Sequence, residues 1–242
     1  YPSLIPNPSM HPKIDFPGEL APLFEDLARP LHTQSLRDFQ REPRPMAECS
    51  LAGGFTLDFS GFEEEPHLSE ILHDFRTFTS VVMETAEGNG GYPIHLRRGK
   101  IPSRPEEACE AHQIITSLEK CEIWAEDLEG LRRAVFRLED EMLIRRAPLL
   151  PLGEETRWTP MKTRITRSPL APYRWLSGWE LEDDNDYYPD AYLNRLADSG
   201  INGLWVPGLL RNLVASRRIP ELGPPQHRLE KLRQLVAKAS RY

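Results

Sequence analysis

The chain has 242 residues, 39% of them hydrophobic, with 30 Lys and Arg against 37 Asp and Glu and a formal net charge of −7. That length accommodates one or two domains with buried cores, and the acidic balance excludes the basic footprint of a nucleic-acid-binding surface. Cys49, Cys109 and Cys121 are too few and too dispersed for a disulfide framework or a zinc site, and no apolar run reaches the ~20 residues of a membrane span.

Residues 1–17 are rich in proline and lack periodicity, which predicts an extended strap. They show no charged-then-apolar signal pattern and no initiator Met, as an excised or processed start would read, and the compartment stays open with the cytoplasm favoured over secretion. Glu19–Arg29 places Leu20, Leu23, Phe24 and Leu27 on a helical stripe. Phe55–Phe59 alternates as a half-buried strand. Pro66 precedes a predicted helix over His67–Phe78, Gly88–Gly91 forms a turn, and Tyr92–Leu96 reads as a strand. Ala108–Thr116 and Cys121–Ala125 read as two strands joined by Ser117–Lys120, with His112 on the surface. Asp127–Arg146 follows as a long helix with Leu128, Leu131, Val135, Phe136, Leu138, Met142 and Leu143 at helical spacing, acidic residues leading and arginines trailing. The pairs Arg97–Arg98, Arg132–Arg133 and Arg145–Arg146 are expected on solvated faces. A hairpin followed by a packed helix implies an α+β sandwich domain over 18–150, and 151–169 reads as a strand-rich connector.

From residue 170 the pattern changes to strand Tyr173–Trp179, acidic loop Glu180–Asp186, helix Tyr188–Ser199, strand Ile201–Val206 and helix Gln226–Tyr242. Parallel strands need crossovers of this kind. Two such units cannot close a barrel, so 170–242 reads as the first two βα units of an incomplete TIM barrel, an α/β element following the α+β one, with its remainder expected downstream.

Ligands gather beyond the carboxyl ends of parallel strands. That position makes Trp179, Glu180 and Trp205 candidate substrate-binding residues, because an indole face packs against the C–H face of a sugar ring; core filling stays open for both tryptophans. The run Glu180, Glu182, Asp183, Asp184 and Asp186 lacks the glycine and terminal glutamate of a calcium loop and reads as solvated. His67, His73, His95, His112 and His227 show no ligand spacing, and no GxSxG, P-loop or GxGxxG is present. No catalytic residue, metal or cofactor is therefore assigned.

The phrase EACEAHQIITSLEKCEIWAEDLEGLRRAVFRLEDEM, then YRW, then YPDAYLNRLADSGINGLWV resembles the N-terminal half of glycoside hydrolases of the β-N-acetylhexosaminidase type. Cys121–Ala125, Asp127 and Gly130 match that family's small domain, and Tyr188–Pro189 and Ile201–Leu204 match its first barrel helix and second barrel strand. Arg174 matches the arginine that opens the first barrel strand and contacts sugar hydroxyls; a structural ion pair is its other reading. Trp205–Gly208 stands where the hexosaminidases carry histidines and acidic residues. The resemblance implies a carbohydrate substrate, no nucleic-acid or membrane partner, and retaining hydrolysis through the substrate's own acetamido group, with the catalytic carboxylates beyond residue 242. A reading from another class, a non-catalytic carbohydrate-binding or scaffold module, stays open because fold alone does not give activity.

Overall fold

A computed structural model describes residues 17–102, 104–170, 179–182, 185–206, 213, 218 and 226–242. In chain order the elements begin with α1 (Pro17–Leu27), β1 (Glu48–Ser50), β2 (Phe55–Asp58) and α2 (Leu68–Thr77), which runs into a π-helical turn at Phe78–Val82. Next come β3 (Tyr92–Arg98), β4 (Cys109–Thr116), β5 (Cys121–Ala125), α3 (Leu128–Arg145), β6 (Leu149–Pro151) and β7 (Gly153–Thr159). The last group is β8 (Ile165–Thr166), α4 (Trp179–Glu182), α5 (Asp190–Asp198), β9 (Gly203–Leu204) and α6 (Gln226–Ala239). Among the described residues no helix is long and apolar enough to cross a membrane.

A five-stranded sheet in the order β2-β3-β5-β4-β7 carries the main core. β2, β3 and β5 run parallel, with Phe55 opposite Tyr92 and Ile94 opposite Cys121, while β4 lies antiparallel to both β5 and β7. The alternation that identifies a half-buried strand is visible in β5: Cys121, Ile123 and Ala125 are fully buried, and Glu122 and Trp124 between them are not. Leu68, Ile71, Leu72 and Phe75 of α2 and Leu131, Ala134, Val135, Leu138 and Met142 of α3 pack into the same core.

α3 is positioned by its ends. Asp127 is extended and its carboxylate accepts from the Gly130 amide at 2.7 Å, satisfying one of the otherwise unpaired amides of the first turn. Gly130 has no alternative, since a Cβ there would sit 2.5 Å from the Ala111 carbonyl oxygen. At the other end Arg146 turns left-handed (φ 52°) and its amide donates to Leu143 O at 3.1 Å.

Several expectations are corrected. His112 is buried, its Nδ1 2.9 Å from the Glu110 carbonyl oxygen, because it lies on the face of β4 turned toward α3. Leu143 is exposed, on the α3 side away from the sheet. Arg132 and Arg133 are not solvated, since α5 and the end of the chain cover the outer face of α3. Arg132 is 2% exposed and donates to the Arg241 carbonyl at 2.9 Å, and Arg133 donates to the Ala197 carbonyl. Arg145 pairs with Glu48 and Glu141. The parallel partner of β9 is β8, inside the stretch expected to be a connector. Of the strand expected at Tyr173–Trp179, residues 173–178 lie outside the described residues, and Trp179 begins the short helix α4. The expected strap at 1–16 also lies outside them.

Glu48 ties the edge pair β1–β6 to the rest. Its carboxylate has no exposed surface and accepts from Arg41, from Arg44 and, at 3.1 Å, from Arg145. Burial alone would raise this acid, but the hydrogen bonds from Arg44 and Arg41 win and hold it at about 2.

Two outcomes are expected. Leu131→Ala, at a fully buried position, should cost about 2–5 kcal/mol in chemical denaturation. Glu48 is held below its unfolded value, so its stabilisation is complete above the ordinary carboxylate range and lost as pH falls toward about 2. Glu48→Gln should therefore lower the melting midpoint at neutral pH and flatten its fall between neutrality and pH about 2, a flattening that differential scanning calorimetry would read.

Candidate functional site

The small parallel pair β8–β9 is held in register at its amino end. The Asn202 amide donates to Arg164 O at 3.0 Å, and the Arg164 amide donates back to the Asn202 side-chain oxygen at 2.8 Å. Asn202 Nδ2 also donates to Lys162 O (2.9 Å) and Glu110 Oε1 (3.2 Å). Glu110 lies in a β-bulge of β4 with φ 55°, and its carboxylate also accepts from Arg164 Nη2 at 2.5 and 2.7 Å and forms an ion pair with Arg133, whose Nε is 3.3 Å away. One buried carboxylate thus joins β4, α3 and the lead-ins to both parallel strands.

With the amino ends clamped, the carboxyl ends present Arg167 after β8 and Trp205 after β9. The Trp205 amide donates to Thr166 O at 2.7 Å, continuing the ladder. Trp205 is 59% exposed, and the Arg167 guanidinium carbon lies over its ring, 5.5 Å from the centroid. Arg167 Nε is 3.7 Å from Glu180 Oε1. Tyr188 Oη donates to the same Glu180 oxygen at 3.0 Å and accepts from the Ser168 amide at 3.1 Å. Burial, reinforced by the Glu180 charge, pushes the Tyr188 phenol above its ordinary value, so it remains a donor at physiological pH.

Of the four residues picked from sequence, Glu180 and Trp205 share this end, joined through Arg167. Glu180 is not part of a solvated loop: its side chain is 1% exposed. Trp179 precedes it in α4, and Arg174 lies outside the described residues. Arg167 was not legible because a two-residue strand has no period to reveal it. Chemically the arrangement is an exposed aromatic face beside a guanidinium that lies next to a buried carboxylate. That combination suits a polar ring with an apolar face.

Elsewhere, a groove of about 650 Å³ lies between α5, β9 and α6 and is lined chiefly by apolar side chains such as Leu193, Leu204, Val206, Leu235 and Tyr242. Its lining suits packing more than acid–base chemistry. His32, Asp74 and Glu139 form the one group among the described residues with the donors to hold a metal ion.

No protein-family model matches the chain, and no curated protein matches it. Solved structures do. A GH138 enzyme targeting pectin rhamnogalacturonan II superposes with a TM-score of 0.55 at 14% identity, over 77% of this chain and 23% of that one. CpGH84B superposes with a TM-score of 0.50 at 14% identity, over 88% of this chain and 35% of that one. A Streptomyces plicatus β-hexosaminidase matches at 0.46 and 15% identity, over 65% of this chain and 31% of that one. The chain therefore spans well under half the length of the enzymes it resembles, and what it shares with them is a mixed α/β, glycoside-hydrolase-like fold.

Tyr188→Phe removes the neutral donor from a buried carboxylate and should cost about 1–3 kcal/mol in urea denaturation. An unchanged midpoint would show that Glu180 does not depend on Tyr188.

Proposed function

We propose that this chain is part of a glycoside hydrolase that cleaves hexosaminides or related glycans, with the carboxyl ends of β8 and β9 as part of its sugar-binding face. Trp205 carries the reading: a large aromatic ring, 59% exposed, at the end of a parallel strand where such folds gather their ligands. The Arg167 guanidinium backs the ring. Glu180, too deep to touch a sugar, orients Arg167. Arg174 joins the proposed face on the hexosaminidase resemblance and Trp179 on its expected place at a strand end; with β8 as the first strand, both would come from the segment that follows it. β8 and β9 would be the first two strands of a (β/α)8 barrel following an α+β domain over 18–150. The catalytic acid and the carboxylate that orients the acetamido group would come from sequence beyond Tyr242. The fold shared with the GH138 and GH84 enzymes supports the hydrolase class.

In the parent protein, Trp205→Ala and Arg174→Ala should each lower turnover of an aryl N-acetylglucosaminide or galactosaminide at least tenfold, about 1.4 kcal/mol, with little change in melting midpoint. Unchanged kinetics in both would sink the proposed face. A parent protein that binds the glycan and hydrolyses none would favour the non-catalytic binding module.

A further inference from the structure

Three donors from separate parts of the chain converge under the outer helices. His32 comes from the segment after α1, Asp74 from α2 and Glu139 from α3. His32 Nε2 is 3.2 Å from Asp74 Oδ1 and 3.9 Å from Glu139 Oε2, and one donor atom from each residue lies within 4.8 Å of the others. The site is closed to solvent: the side chains of His32, Asp74 and Glu139 are 8%, 12% and 3% exposed.

Hydrogen bonds do not account for this arrangement. Asp74 Oδ1 accepts from Asn194 Nδ2 at 2.6 Å. Yet His32 Nε2, Asp74 Oδ2 and Glu139 Oε1 are all buried without a hydrogen-bond partner among the described residues. The 3.2 Å approach of His32 to Asp74 lacks the alignment of a hydrogen bond. A buried polar atom without a partner costs on the order of 1–3 kcal/mol, and here one belongs to each of three side chains that meet at one point. A proton on Glu139 would still leave Asp74 Oδ2 without a partner.

We infer that His32, Asp74 and Glu139 bind one divalent transition-metal cation of the zinc type. One imidazole and two carboxylates are a donor set such ions accept, with bonds of about 2.0–2.2 Å. The ion takes one donor atom from each side chain and balances the two carboxylate charges, and small rotations of the three side chains bring the donors onto it. Asn194, donating to Asp74, holds the carboxylate from outside and links the site to α5. The role is structural: the ion pins the segment after α1 onto α2 and α3, and through Asn194 onto α5. It is independent of the proposed glycoside chemistry.

The test uses the whole chain, stripped with a chelator and titrated with zinc chloride by calorimetry, with thermal melting in parallel. One equivalent should bind and the melting midpoint should rise with zinc concentration. Cobalt in place of zinc should give visible absorption bands. Glu139→Gln and His32→Gln should each weaken zinc binding at least tenfold and abolish the cobalt bands, with circular dichroism confirming that they fold. His32 lies outside helices and strands, so its variant keeps the test available if Glu139→Gln disturbs α3. The inference is overturned if the stripped wild-type chain binds neither zinc nor cobalt, or if either folded variant binds zinc as tightly as the wild type.

Discussion

Glu110 is the point on which the two halves of the molecule depend. Its backbone is left-handed, an unfavourable state for a residue with a Cβ, and that turn swings a carboxylate out of β4 toward the lead-ins of the small parallel sheet. There it meets Arg164, Arg133 and Asn202 together. A carboxylate this deep is costly to desolvate and is tolerated only because several donors meet it at once. Loss of any one donor leaves the others with an imperfectly balanced charge, so the cluster behaves as a unit. Its geometric consequence is that β8 and β9 begin at one height and end at one height, which brings Arg167 and Trp205 side by side.

The second half is built in layers from that clamp. α5 covers the outer face of α3, and α6 packs beside it, with Tyr187, Tyr188 and Leu193 forming a separate apolar cluster that includes Leu204, Leu235 and Tyr242 at its margin. Tyr188 belongs both to this cluster and to the Glu180 contact. Packing of the small core and orientation of the strand-end residues are therefore one event, and a change that loosened the cluster would also release Arg167 from its anchor.

What was legible in the sequence was whatever repeats. β5 shows its alternation within five residues, and α3 its helical stripe over eighteen, so the hairpin and its covering helix were readable without coordinates. Where two layers meet, the pattern fails. Arg132 and Arg133 read as a solvated pair, since nothing local says that α5 and the chain's last residues will cover them. β8, at two residues, is too short for a period, so its role as partner of β9 fell to a longer stretch nearby, and Arg167 went unseen with it. His32 was missed for a related reason. It stands in an irregular segment, and the acids that meet it lie on two helices far along the chain, a spacing that resembles no ligand motif. The rule that ligands gather beyond the carboxyl ends of parallel strands drew attention to Glu180 and Trp205, but the residue joining them emerged only from the fold.

The bond from Arg132 to the carbonyl of Arg241 spans 109 positions, and it sets an order of events on the ribosome. The strands and helix of the hairpin unit emerge early and have what they need to stack, since their contacts are local. The acceptor for the Arg132 guanidinium, however, is translated 109 residues later. Until it emerges, the outer face of α3 must keep that cation in water or in the keeping of a chaperone. The nascent chain therefore passes through a stage with a finished sheet and an unfinished helix face, the kind of partly folded species most exposed to wrong partners.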